Sequence, residues 1–243
     1  MAAAFGWGVL GAATLVVGAL VGVWAPLGTR VVGMVMALGA GVLISAVAFD
    51  LVEEAVDTSG GEGGVTLGLA AGALTFFAGD AYIDRMGGDK RKSVTGEQSE
   101  GSPLGIVLGA VLDGIPESIV LGLTLLGGGG VSVAFIAAVA ISNLPEGVAA
   151  STGLAASGWS TARIVGLWSG VALVSGLSAL AGYALFGDAP ALAVAFVLAF
   201  AGGAVLTMLA DTMMPEAFTH AGPLVGLFTT AGFALAFGLH MIE

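Results

Sequence analysis

Two short motifs, "DGIPES" at 113–118 and "SNLPEG" at 142–147, sit inside long apolar runs. Each has a polar residue, then Pro-Glu, then a small residue. Asp113 and Glu117 are four apart and share one helix face. Ser142, Asn143 and Glu146 stand at i, i+1 and i+4, a comparable face. Pro116 has no amide proton, so the carbonyl of Leu112 loses its helical partner and a kink is expected. Pro145 frees the carbonyl of Ile141 in the same way. Two kinked helices would thus present carboxylates, a hydroxyl, an amide and loose carbonyls at mid-membrane depth. Neither run contains a Lys, Arg or His to pair with them. Ionisable groups at that depth are costly unless they face a cavity, a partner or an ion. Three carboxylates without a cationic partner are expected to bind a cation or to take up protons. A protonated carboxyl that glues helices together would explain one isolated Glu. Two matched Pro-Glu motifs plus Asp113 fit an ion or proton site better.

The surrounding chain must place these residues in a bilayer. Of 243 residues, 57% are hydrophobic and 9% charged, and the mean hydropathy is +1.04. Soluble domains carry about 25% charged residues, so this is the composition of a polytopic membrane protein. The 42 glycines let membrane helices approach closely. Cysteine is absent, which removes disulfides and thiolate metal sites. The net charge of −11 argues against a nucleic-acid partner and suits cation attraction or a salt-rich habitat. Hydropathy predicts eight spans, at roughly 4–24, 31–55, 65–85, 104–126, 131–154, 162–186, 190–214 and 222–241. The breaks carry turn chemistry: Pro26 and Gly28, "DTSGGEGG", "GGGG" at 127–130, "SGWS", "GDAP" and "THAGP". Residues 1–243 read as a single transmembrane domain. Its one long polar segment, 86–103, is expected to be a flexible loop between spans three and four. The first stretch lacks a basic leader region and is expected to be a span, not a removable signal peptide.

The basic residues set the expected orientation. They are Arg30, Arg85, Lys90, Arg91, Lys92 and Arg163. Eight spans put all six on one side, which is then cytoplasmic, with both termini outside. A seven-span count would scatter them over both sides. The lack of targeting signals favours a prokaryotic plasma membrane. Span two, "GVLISAVAFDLVEEA", is loosely similar to span seven, "GAVLTMLADTMMPEA". These spans run in opposite directions, as do spans four and five. The layout resembles an inverted repeat built around a midplane site. The expected fold is therefore an all-α bundle of eight transmembrane helices in a 3+2+3 inverted-repeat arrangement.

At this point the residues resemble a known family. "DGIPES" and "SNLPEG" are similar to the paired H-N-x-P-E-G-type motifs in the fourth and fifth spans of the ZIP (Zrt/Irt-like) metal transporters. "SNLPEG" keeps Asn143, Pro145, Glu146 and Gly147 of that pattern. The eight-span plan, the outside termini and the loop between spans three and four are similar too. The resemblance covers most of the chain and implies transport of a divalent metal toward the cytoplasm. It also implies a metal site of Asp113, Glu117, Ser142 and Glu146, with Asn143 as a further candidate. The motifs depart from the family at four places. Asp113 stands for the usual His, Gly114 for Asn, Ser118 for Gly, and Ser142 for His or Gln. Span six has no acidic residue, whereas members with a second, bridged metal carry one there. All the implied donors are oxygens. Imidazole suits zinc, carboxylate and carbonyl sets favour harder ions, and zinc still accepts carboxylates. The cargo is therefore expected to be zinc or a manganese- or iron-like ion, with no organic cofactor.

Other acidic residues could mark the way in and out. Asp50 and Glu54 lie near the outer end of span two; Glu53 and Asp57 read as solvated there. Asp211 and Glu216, toward the inner end of span seven, could form an exit station with His220 nearby. Asp80 and Asp84 share a face of span three, and Asp84 is expected to pair with Arg85 or Lys90 at little energetic benefit. His240, near the outer end of span eight, reads as a solvated interfacial residue. Trp7, Trp24, Trp159 and Trp168 read mostly as interfacial anchors. No nucleotide-binding motif is present, and neither an H-E-x-x-H set nor a membrane Ser/His pair, so the reading is a secondary transporter and not an enzyme. Two alternatives stay open: a proton-linked transporter of another cation or small solute, and a metal-binding membrane protein that does not transport. The expected partners are the lipid bilayer and metal ions, with no nucleic acid, and the small-residue faces permit a homodimer.

Overall fold

The computed structural model describes residues 1–25, 27–61, 63–88, 103–127 and 132–242. Pro26, Lys90, Arg91, Lys92, most of the expected 86–103 loop and most of the "GGGG" turn lie outside the described residues. Among the described residues every regular element is helical. The long helices are α1 (Ala2–Trp24), α2 (Thr29–Ser59), α3 (Gly64–Gly88), α4 (Pro103–Thr124), α5 (Val133–Ala156), α6 (Thr161–Phe186), α7 (Ala191–Ala221) and α8 (Leu224–His240). Among the described residues, seven of these are long and apolar enough to cross a membrane. The expected eighth span is present as α8, an apolar helix of 17 residues.

The helix ends follow from local chemistry. Ser132 caps α5 by accepting a hydrogen bond from the Phe135 amide at 3.0 Å. Ser160 does the same for α6 with the Arg163 amide, at 3.4 Å. Gly60, with φ of 64°, ends α2 in the left-handed region that a side chain would disfavour. The interiors of two helices are less regular. Val47–Glu53 in α2 and Leu209–Met213 in α7 are π-helical, with one residue too many for the α repeat. Pro116 and Pro145 by contrast lie inside stretches that remain α-helical.

In a bilayer, helices gain nothing from leaving lipid for one another except packing and polar contacts, so small residues set which surfaces meet. Here α1 packs against α5 and α6, α4 against α6, α3 against α7, and α2 against α8. Glycines on both partners make these contacts. A Cβ at Gly18 would meet the Leu144 carbonyl, and one at Gly147 the Leu15 carbonyl. Gly122 and Gly182 hold α4 against α6 in the same reciprocal manner. Gly72 and Gly203 do so for α3 and α7, and Gly41 and Gly232 for α2 and α8. The α3–α7 and α2–α8 partners run parallel. Gly64, Gly68 and Gly72 face Leu192, Phe196 and Phe200 in turn. Gly41 faces Thr229, and Asp50 further along α2 meets His240 further along α8.

A side chain at such a contact must push two backbones apart, at a cost of about 1–3 kcal/mol. Gly72→Val is therefore expected to lower the thermal midpoint of the detergent-solubilised protein. Gly170→Ala, where a Cβ has nothing within 4 Å, is not. Equal midpoints for the two variants would contradict the α3–α7 contact.

Candidate functional site

The two motif helices converge on α1. A Cβ at Gly11 would lie 3.2 Å from Leu121 Cδ1 of α4 and 3.5 Å from Val139 Cγ1 of α5. Asn143 Nδ2 donates to the Gly11 carbonyl at 3.2 Å. Leu121 is one turn beyond Glu117, and Val139 and Asn143 bracket Ser142. Both motifs therefore meet the same stretch of α1, and Gly11 is what lets them approach. Asp113, Glu117 and Glu146 are 3%, 4% and 8% exposed, and Ser142 and Asn143 are buried with them. The Ser142 hydroxyl donates to the Val139 carbonyl at 2.9 Å, and the Ser118 hydroxyl to the Gly114 carbonyl at 2.6 Å. Each hydroxyl spends its hydrogen on its own helix and keeps oxygen lone pairs.

Gly114 brings a residue that the motifs did not announce. A Cβ there would lie 3.5 Å from Ser175 Oγ of α6, and Ser175 is itself buried. A hydroxyl of a third helix thus stands beside the first motif, at a distance that a Cβ at 114 would also tolerate. Nothing in the local sequence around Ser175 signals this.

Helix α2 touches the same region and continues past it in both directions. A Cβ at Gly39 would lie 3.2 Å from Ser142 Cα, from Pro145 Cγ and from Met213 Cε of α7. One and a half turns toward the N-terminus, Gly33 faces Ala217 and His220 of α7. His220 Nε2 is 2.9 Å from Glu216 Oε1, so these two expected pathway residues do come together. Asp211 is exposed, within the π-helical segment of α7. At the other end of α2, Asp50 lies in the other π-helical segment. Its Oδ1 is 3.4 Å from His240 Nδ1 of α8. His240 is thus packed, not merely solvated: its ring also stacks on Phe49 at 5.2 Å. Glu54 is exposed and accepts a hydrogen bond from the Thr58 hydroxyl at 3.3 Å. Glu53, Asp57 and Asp84 are exposed, and Asp80 is buried.

Trp168 departs from its expected role as an interfacial anchor. It is buried, and its indole N–H donates to the Ser151 hydroxyl at 2.7 Å. Trp159 remains at the edge, with the Arg163 guanidinium 3.7 Å above its ring.

Sequence reasoning missed both π-helical segments. In α7 a signal was there: Pro215 cannot donate to the Asp211 carbonyl, which frees the backbone at that turn. In α2 no proline marks the place. Among the described residues no three His, Asp or Glu side chains are grouped closely enough to hold a metal ion.

No family model matches the chain. A protein of Arabidopsis thaliana named "Putative zinc transporter" is 30% identical to it over 195 residues. The match takes in 79% of this chain and 30% of the relative's length. That similarity fits the likeness of the two Pro-Glu motifs to the ZIP transporters. Together with the helices of membrane-crossing length, it makes the chain an integral, multi-pass membrane protein.

The Asn143 amide fixes the distance between α5 and α1 by donating to a carbonyl. Asn143→Asp would put a second acceptor against that carbonyl, while Asn143→Ala only removes the donor. The aspartate variant is expected to lose more stability, by about 1–3 kcal/mol, than the alanine variant. Equal losses in thermal unfolding at neutral pH would mean that the amide does not donate there.

Proposed function

We propose that this protein is a secondary transporter of divalent metal cations on the ZIP plan. The cation would be carried toward the cytoplasm through a midplane site on α4 and α5. The observation that carries the reading is the burial of Asp113, Glu117 and Glu146 in two proline-bearing apolar helices. The similarity to the Arabidopsis protein named as a zinc transporter supports it. In this reading Asp113, Glu117, Ser142 and Glu146 hold the ion, with Asn143 adjoining. Because no three acidic or imidazole groups are clustered among the described residues, the ion would draw in side chains or keep part of its water. Glu216 and His220 would receive it on the cytoplasmic side.

The packing supports an inverted 3+2+3 arrangement. Exchanging α1 with α6, α2 with α7, α3 with α8 and α4 with α5 turns each observed pairing into another. The α1–α5 contact becomes α6–α4, α2–α8 becomes α7–α3, and α1–α6 maps onto itself. The π-helical segments obey the same exchange. Val47–Glu53 begins six residues after Gly41 and Leu209–Met213 six residues after Gly203, the leading glycines of the two similar stretches. The parallel run of α8 beside α2 supports a full eighth crossing, with both termini outside.

The lack of a three-ligand group among the described residues favours one competing reading, in which the carboxylates carry protons for another solute. Uptake into proteoliposomes separates the two. Saturable uptake of zinc, manganese, cobalt, cadmium or iron is expected, and Glu117→Ala/Glu146→Ala should abolish it while leaving the protein folded. Proton flux with no metal dependence would overturn the metal reading, and uptake that survives the double substitution would overturn the site. Because the donors are oxygens, Asp113→His is expected to shift preference toward zinc over manganese. An unchanged ratio of the two rates would count against Asp113 as a ligand.

The topology has its own test, because the chain contains no native cysteine. Val56→Cys and Met241→Cys should react with an impermeant thiol reagent on intact cells, and Trp24→Cys only after permeabilisation. If Met241→Cys and Val56→Cys reacted from opposite faces, α8 would not be a crossing.

A further inference from the structure

Both histidines of this chain touch a carboxylate, one toward each end of α2. The two contacts differ in kind. His220 and Glu216 lie one turn apart on α7, 2.9 Å from each other, which is an ordinary hydrogen bond within a helix. His240 and Asp50 come from different helices, and their atoms stand 3.4 Å apart. Nδ1 of His240 is buried and makes no hydrogen bond to any described residue. The proximity is therefore there without the alignment that a hydrogen bond needs. The Asp50 side chain is 10% exposed and that of His240 is 32% exposed.

We propose that Asp50 and His240 form a loading site for a divalent cation at the outer mouth, through one carboxylate oxygen and one imidazole nitrogen. The proposal rests on the transport reading above and adds a ligand to it, His240. Metal–nitrogen and metal–oxygen distances of about 2.1 Å at a tetrahedral angle put the two ligand atoms about 3.4 Å apart. The pair is already at that spacing, and the buried Nδ1 faces the carboxylate. Phe49 stacks on the imidazole at 27° between planes, and Phe233 and Phe237 flank Phe49, so the ring plane is held by packing. A ring fixed in this way loses little freedom when it takes a ligand.

The site is separate from the midplane donors. Gly39 marks the level of Ser142 and Pro145 on α2, and Asp50 is eleven residues further along. At 1.5 Å per residue the separation is about 16 Å, half the thickness of a bilayer core. Two protein ligands leave the other coordination positions to water. An ion held by so few ligands leaves readily, which is what a site that passes its ion inward requires.

The test uses the full chain in nanodiscs with Glu117→Ala/Glu146→Ala, so that the midplane carboxylates are silenced. Copper(II) is the probe, and pulsed electron paramagnetic resonance reads imidazole nitrogen bound to it. The imidazole signal is expected to persist in His220→Ala, to vanish in His240→Ala, and to need at least tenfold more copper in Asp50→Asn. Zinc should compete the copper away. A signal unaffected by His240→Ala, or one that depends on His220 alone, overturns the proposal. In the chain with its midplane carboxylates intact, His240→Ala should raise the KM for metal uptake severalfold with kcat little changed, and an unchanged KM overturns the loading role. The two readings fail differently. Absent uptake with the His240 signal intact removes transport and keeps the site. Normal uptake with no His240 signal removes the site and keeps transport.

Discussion

Three carboxyl groups inside an apolar bundle are the constraint on which the rest of this structure depends. An ionised Asp at the centre of a membrane helix costs about 3 kcal/mol, and three such groups cost a large share of the roughly 5–15 kcal/mol that holds a domain together. No Lys, Arg or His occurs between residues 93 and 162 to offset them from α4 or α5. The compensation has to come from close packing and from polar atoms of neighbouring helices. Gly11 admits α4 and α5 to the α1 backbone, and Gly39 lets α5 and α7 approach α2.

Helix α2 is the strut along which these contacts are ordered. Gly33 meets the His220 turn, Gly39 meets the Ser142–Pro145 turn, and Asp50 meets His240. All three levels belong to one helix, interrupted by a π-helical segment only at the last. The equivalent segment of α7 ends at Met213, whose methyl group faces Gly39. The irregular turn of α7 therefore adjoins the Gly39 contact, that of α2 lies further along its helix, and the proline-bearing stretches remain α-helical. Pro116 and Pro145 lie inside α-helical stretches, where the freed carbonyls of Leu112 and Ile141 each interrupt a single bond in a long ladder.

Much of this was legible in the sequence, because a bilayer imposes a simple length rule. The first expected span, 4–24, is α1 at Ala2–Trp24, and the sixth, 162–186, is α6 at Thr161–Phe186. The burial of Asp113, Glu117, Ser142, Asn143 and Glu146 could also be anticipated, since a polar side chain in a crowded apolar span has few other places to go. Partner choice could not. Glycine is abundant on every span, so nothing local tells that Gly72 meets α7 or that Gly41 meets α8. The contact of Asp50 with His240 joins residues at opposite ends of the chain, and each taken alone looks like an interfacial polar group. Within the π-helical turn of α2, Phe49 packs against Phe233 and Phe237, residues far along the chain that no neighbouring position announces.

The reciprocal glycine contacts carry a consequence for inheritance. Every missense change at glycine adds at least a Cβ, so none of them is conservative where two backbones touch. Gly8, Gly18, Gly41, Gly72, Gly122 and their partners are spread over all eight helices, many of them far from any ionisable group. Deleterious variants of this chain should therefore scatter along its whole length, while the lipid-facing leucines and valines drift among similar residues. A map of harmful substitutions would trace the helix crossings first and the carboxylates second.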